Sequence, residues 1–392
     1  MNPSSFTLGN IPFYWRMLDD YSADRLGIPD LLPFSFAFRS ELQLVTQLEN
    51  PEVLHWLHRV YRENANVGYL QEGHALATPY GDEFLRFLDE LLVRNRLAPH
   101  TAMEIGCGGV YLLKMLKARG MAVCGVDPSP VSGEQARRAG IELIADFYPA
   151  SGLTRKVDLM FHHNVLEHVA DPVGFLQAHH ANLQPGGIIV AAVPDCTEAI
   201  ERGDISMMLH EHLVYFDADS LARTFAAAGF EVLDIGRSRY GRVLFGAGRV
   251  PAEQARASTS VLSDEKFMRF CNQATVATEN FRKWLDTSKI SECDVGFYVP
   301  IRAIPYLAAC NQLKGYRFFD DDPGIKGRFF AGIEVSVENF DGLKTWPVDM
   351  LLVTSLAFGE KITGKVSAHF GNEISVTRLE DLLPLPTARR DQ

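Results

Sequence analysis

TAMEIGCGGVYLLKMLKARGMAVCGVDP, residues 101–128, reads as a strand, a glycine turn, a helix and a second strand in one unbroken run. The first apolar run carries Glu104 near its end, Gly106 and Gly108 follow, and the second run ends on Asp127. This is a βαβ unit shaped to hold a nucleoside. Glycines after a strand let the backbone approach a ligand, and an acid after the next strand, about twenty residues on, accepts ribose hydroxyls. A dinucleotide site would need a third glycine in G-x-G-x-x-G to seat a pyrophosphate at a helix N-terminus. That position is Tyr111. Losing the pyrophosphate device while keeping the ribose acid points to an adenosine that carries a cation rather than phosphates.

Strand-like and helix-like runs continue to alternate outward from this unit. Strands are expected at 101–105, 123–126, 143–145, 157–161, 188–193, 230–236 and 242–249, with helices at 174–183 and 218–228. The alternation predicts an α/β fold with a doubly wound, mostly parallel sheet and an antiparallel end. Two more stations fall at the carboxyl ends of strands, the ligand side of such a sheet. Asp146 and Phe147 follow the third strand, where a carboxylate edges an adenine and an aromatic ring stacks on it. His163 and Asn164 follow the fourth.

The flanks organise the chain into five parts. Residues 1–98 form a mostly helical region, with helical spacing at 52–63 and 81–96 and a Gly/Asn/Tyr loop between them that reads as a lid, an interdomain contact being equally compatible. Tyr69 sits in that loop as a candidate substrate contact. Residues 99–250 form the nucleoside-binding domain and 251–290 a helical connector. Residues 291–386 form a smaller C-terminal α/β domain, and 387–392 a tail. Arg302, Lys326 and Arg328 lie in that domain, where cations of this kind can clamp an acceptor phosphate.

Composition narrows the partners. With 38 basic against 49 acidic residues the formal net charge is -11, which argues against a nucleic-acid partner. The six cysteines make no C-x-x-C pair, so neither a disulfide framework nor a cysteine zinc cluster is expected. No leader-like segment and no apolar run of about 18 residues is visible, so the reading is a cytoplasmic chain with no membrane partner. The oligomeric state is not readable.

Residues 207–216, MMLHEHLVYF, set His210, Glu211 and His212 in a row. Zinc ligands on one helix face follow H-E-x-x-H, whereas H-E-H points successive side chains apart, so no metal is expected here. Histidine pairs of this kind are often core or surface residues. The functional reading is general-base chemistry: an imidazole takes a proton at neutral pH and a neighbouring carboxylate orients it.

Taken together, residues 101–235 resemble the S-adenosylmethionine-dependent methyltransferases with a Rossmann-like fold. Glu104, Gly106 and Gly108 match that family's first motif, with Val110 at its third glycine. Asp127 matches the ribose acid and Asp146 the adenine-side acid. NVLEHVADP resembles the post-strand motif and LQPGG, residues 183–187, the turn before the fifth strand. The resemblance implies S-adenosyl-L-methionine as cofactor, held by Glu104, Gly106, Gly108, Asp127, Asp146, Phe147, His163 and Asn164.

H-E-H-L-x-Y-F followed by a helix and GFEV narrows the resemblance to the sugar C-methyltransferases, which act on nucleotide-linked 4-keto sugars. It implies His212 as the base that takes the proton beside the ketone, with Glu211 or His210 orienting it. The acceptor, a small molecule and by this resemblance a nucleotide sugar, would be met by Tyr69, Tyr240, Arg302 and Lys326. Three departures stand out: no cysteine precedes Cys107, Leu209 replaces a tyrosine, and Tyr240-Gly241-Arg242 replaces H-G-G. Two other readings stay open, an O-methyltransferase of a sugar or natural-product hydroxyl and a non-catalytic ligand-binding scaffold.

Overall fold

The computed structural model describes residues 5–13, 17–21, 27–62, 77–252 and 263–385, so Tyr69 and the expected lid loop lie outside the described residues. The chain divides into two units. One comprises residues 38–197 and 211–263, and the other residues 1–37, 198–210 and 264–392. His210 therefore belongs to a different unit from Glu211 and His212.

Strands β1 (Ser5–Pro12), β2 (Leu31–Arg39) and β3 (Leu44–Gln47) come first, then helices α1 (Pro51–Arg62) and α2 (Thr78–Asn95). The two helices were expected, but ahead of them the described elements are three strands and a short 3-10 turn, Ser40–Leu42, rather than α-helices. LLPFSFAFR alternates large apolar side chains: Leu32, Phe34 and Phe36 are buried while their neighbours are not. That period of two selects a strand. β1 and β2 pair antiparallel from Ser5↔Ala37 to Pro12↔Leu31, with an irregularity between Thr7 and Gly9.

The larger unit holds β4 (Thr101–Ile105), α3 (Tyr111–Ala118), β5 (Ala122–Val126), α4 (Pro130–Ala139), β6 (Glu142–Ile144), β7 (Val157–His163), α5 (Pro172–Ala178) and β8 (Leu183–Pro194). Then come α6 (Thr197–Arg202), which crosses the unit boundary, β9 (Val214–Tyr215), α7 (Ala218–Ala227), β10 (Glu231–Arg237) and β11 (Val243–Arg249). Its seven-stranded sheet has the order β10-β11-β8-β7-β4-β5-β6, parallel except where β11 pairs antiparallel with β8 and β10. The expected doubly wound sheet with an antiparallel end is present. The order reverses at β4, whose neighbours are β5 and β7, and this reversal opens the ligand crevice at the strands' carboxyl ends. LQPGG is not a turn before β8 but its first residues.

Both sheet faces are covered, by Met103, Ile105, Leu176 and Phe225 on one side and Phe84, Leu88, Leu113 and Phe245 on the other. Double coverage explains why the central strands read as continuous apolar runs. His179 is buried in this unit and its Nδ1 lies 2.8 Å from the Phe175 carbonyl, to which it donates. Burial pushes its pKa down to about 4. The unfolded imidazole titrates near about 6.5 and therefore takes up a proton first as pH falls. Stability is full above that value and is lost towards pH 4 by about 1.4 kcal/mol per pH unit. Urea unfolding at pH 7 and pH 5 should differ by about 2 kcal/mol more in the native chain than in a His179→Gln variant. An equal pH dependence in both would contradict it.

In the other unit, α8 (Glu265–Ile290) precedes β12 (Val295–Tyr298), α9 (Ile304–Ala309), β13 (Arg317–Phe319), β14 (Val337–Glu338), α10 (Gly342–Thr345), β15 (Met350–Val353), α11 (Gly359–Phe370), β16 (Ser375–Arg378) and α12 (Leu379–Leu382). The five strands make an all-parallel sheet of order β14-β13-β12-β15-β16. That is the expected C-terminal α/β fold. α8, read from sequence as a connector, is built into this unit. It buries Phe267, Phe270, Ala274, Ala277, Phe281 and Leu285, and Phe281 stacks on Tyr306 of α9.

Candidate active site

The glycine turn between β4 and α3 is held by its own acid. Asp127 is buried and accepts from the Gly108 N–H at 3.0 Å and from the Ser129 N–H at 2.8 Å. A carboxylate offers about four lone-pair sites, so two stay open for a ligand. Gly106 has φ +69°, and a Cβ there would stand 2.5 Å from Val165 Cγ2. Gly108 has φ +47°, but a Cβ there would meet nothing within 4 Å. Gly106→Ala should cost about 1–3 kcal/mol from combined strain and overpacking. Chemical unfolding should show a clearly smaller loss for Gly108→Ala, and equal losses would remove Val165 as the reason for glycine at 106.

Glu104 lies on β4 with 3 % exposure, and its Oε2 has no hydrogen-bond partner. Burial, then the neighbouring Asp127 charge, raises its pKa well above the carboxylate norm. A buried acid with one oxygen unanswered carries a desolvation cost that a bound cationic or hydrogen-bond-donating group would relieve.

The other sequence-predicted cofactor residues fall at the same strand ends. Asp146 is exposed and accepts from the Phe147 N–H, and the Phe147 ring stacks on His58 of α1 with centroids 5.4 Å apart. His163 ends β7, and burial brings its pKa down to about 4, so it is neutral at pH 7. Asn164 follows at φ +56° with its N–H bonded to the Ala192 carbonyl.

The expected catalytic row separates. His210 is 2 % exposed in its own unit, where its ring meets the edges of Phe13 and Phe34 and its Nε2 lies 3.2 Å from the Leu32 carbonyl. It is packed as a core histidine and does not join Glu211 and His212. Those two lie beside a short 3-10 turn, Leu166–His168, that follows β7. The Leu213 N–H donates to the Glu167 carbonyl at 2.7 Å, and His168 Nδ1 donates to the Glu211 carbonyl at 2.8 Å. These two bonds lay residues 211–213 along the turn. The His168 and His212 rings meet at 5.0 Å between centroids. The Tyr61 hydroxyl lies 3.2 Å from His168 Nδ1 and also bonds the Glu211 side chain.

Glu167 and His168 were visible in NVLEHV only as a motif, and Tyr61 only as part of a helix. Nothing in their spacing ties them to His212. Among the candidate acceptor contacts, Tyr240 lies in the β10–β11 hairpin of the larger unit, its ring edge-on to Tyr80 at 5.0 Å. Arg302 and Lys326 belong to the other unit. Arg302 ends a 3-10 turn and Lys326 is exposed in the loop after β13.

Residues 73–235 match the family described as Methyltransferase domain. Curated relatives include ubiquinone biosynthesis O-methyltransferases from Ruegeria pomeroyi and a Methylobacterium species. The first is 33% identical over 97 residues, 23% of this chain and 39% of the relative. The second is 35% identical over 105 residues, 24% of this chain and 41% of the relative. The chain thus spans about two fifths of the length of these relatives. Among solved structures, Burkholderia thailandensis 1,6-didemethyltoxoflavin-N1-methyltransferase, with bound 1,6-didemethyltoxoflavin and S-adenosylhomocysteine, is 18% identical, with a TM-score of 0.38 over 55% of this chain and 95% of that one.

Proposed function

We propose that this chain is an S-adenosylmethionine-dependent methyltransferase acting on a small-molecule acceptor. The observation that carries the reading is the Asp127 carboxylate, buried at the end of β5 and gripping the backbone of a glycine turn with acceptor sites to spare. The match of residues 73–235 to a methyltransferase domain supports it. Asp127 would accept the ribose hydroxyls, and Gly106 and Gly108 would let the backbone approach. Glu104 would face the cofactor's cationic part, and Asp146 with Phe147 would border the adenine. The cofactor supplies a methyl group made electrophilic by the positive sulfonium.

On the acceptor side, His212 takes the proton from the atom that receives the methyl, and Glu211 and Tyr61 help set its surroundings. Within this reading we favour carbon methylation of a nucleotide-linked keto sugar, on the likeness of HEHLVYF to that group of enzymes. The names of the curated relatives favour a second reading, O-methylation. Both are tested together. Calorimetry with S-adenosylhomocysteine should show one site per chain, and transfer of labelled methyl into a panel of nucleotide keto sugars and hydroxylated acceptors should identify the product. A label that survives ether cleavage marks a C-methyl product. Absence of cofactor binding would overturn the whole reading, whereas a methyl ether would overturn only the finer one.

A further inference from the structure

We propose that Glu167, His168 and His212 form a binding site for a divalent first-row metal ion, with zinc the first fit. The inference goes beyond the methyl-transfer reading and does not depend on it. Each of the three residues offers one ligand atom, and these atoms lie within 4.8 Å of one another. Two imidazoles and one carboxylate are a donor set that zinc and its neighbours accept, and a three-ligand site leaves a coordination position open for water or substrate.

Three features argue for a built site rather than a chance meeting. First, Glu167 is 2 % exposed and neither carboxylate oxygen has a hydrogen-bond partner. Such a group is costly to bury unless something cationic or hydrogen-bonding answers it. His168 Nε2 stands 3.7 Å from Glu167 Oε1. Ligands around a tetrahedral zinc at about 2.0–2.1 Å stand about 3.3 Å apart. The pair needs only a small side-chain rotation to close on an ion.

Second, the His168 tautomer suits a ligand. Its Nδ1 donates to the Glu211 carbonyl at 2.8 Å, which leaves the Nε2 lone pair on the side of Glu167. Metal-bound histidines are commonly held this way, with the far nitrogen on a backbone carbonyl that fixes the ring. Third, His212 is brought in by backbone. The Leu213 N–H to Glu167 carbonyl bond of 2.7 Å sets its neighbour against the turn, and Leu213's own carbonyl accepts from the Gln47 N–H at 2.8 Å. The third ligand therefore rides on a segment fixed at both the turn and the β3 strand.

The site lies at the carboxyl end of β7, the ligand end of the sheet. With an ion bound, His212 would serve as a ligand and no longer as a free base, and an acceptor oxygen on the open position would lose its proton more easily. Loss of turnover in a His212 variant fits a base and a ligand alike, so activity does not discriminate. Metal binding does.

The test uses the 392-residue chain stripped with chelator and titrated with Zn²⁺ by calorimetry, and separately with Co²⁺ read by visible absorption. S-adenosylhomocysteine binding is measured on every variant to show that the nucleoside site is still folded. The native chain should take up one ion per chain. Glu167→Gln, which keeps the shape of the side chain, and His212→Ala should each weaken Zn²⁺ binding at least about 10–100-fold, since loss even of an outer partner costs that much. The Co²⁺ spectrum should lose its protein-bound bands in both. No stoichiometric uptake by the native chain, or equal Zn²⁺ affinity in variants that still bind S-adenosylhomocysteine, would overturn the site. Failure of S-adenosylhomocysteine binding in the native chain would overturn the cofactor reading and leave the metal result standing on its own.

Discussion

Replacing His212 with alanine should reduce methyl transfer by about 10²–10⁴-fold, the usual worth of a positioned proton acceptor. The measurement is single-turnover transfer of labelled methyl, with S-adenosylhomocysteine affinity determined in parallel. Affinity should stay near that of the native chain. His212 sits beside the turn after β7, while Asp127 stands at the end of β5. His210→Ala is the informative partner. That ring is packed against Phe13 and Phe34, so its loss should lower stability by the amount of a core truncation rather than remove a chemical step. Full turnover in His212→Ala would remove it from the reaction. A large, stability-independent loss in His210→Ala would return that residue to the site.

The second large effect concerns the cofactor. Asp127→Ala should weaken S-adenosylhomocysteine binding by about 100-fold or more, because each hydrogen bond to a charged acceptor is worth about 1.5–3 kcal/mol. The carboxylate also holds the Gly108 and Ser129 N–H groups, so part of the loss would come from a loosened turn. A 2′-deoxyribose analogue of the ligand separates the two contributions. The native chain should prefer the ribose form strongly, and the variant should discriminate far less, as a double-mutant cycle requires when the deleted groups touch. Unchanged preference would mean that the ribose is read elsewhere.

Much of this site is legible in the linear chain because its parts are local. Glu104, the two glycines and Asp127 sit within one βαβ unit, and the unit's own geometry brings them together. Asp146 and His163 follow the next two strands of the sheet, so strand order alone carries them to one edge. The turn LQPGG was misread because glycine and proline resemble a loop, yet β8 begins at Leu183. Of the strands ahead of α1, β2 alternates plainly, whereas β3 is only four residues long and buried throughout. β1 even shifts register between Thr7 and Gly9.

The acceptor side was not legible, for a different reason. In H-E-H the side chains diverge, and the structure sends His210 into a core of one unit while His212 meets Glu167 and His168 in the other. Those partners lie more than forty residues away in sequence, and no periodicity records the pairing. It depends on two bonds, Leu213 to Glu167 and His168 to Glu211, that form only when the segment before β9 lies along the turn after β7. The sequence by itself determined the sheet, its carboxyl edge and the place of Asp127 there, since strand alternation and a glycine turn are local physics. Only the tertiary structure decided which histidine is packed in a core and which stands beside Glu167 and His168, because burial and carbonyl partners come from chain segments far apart.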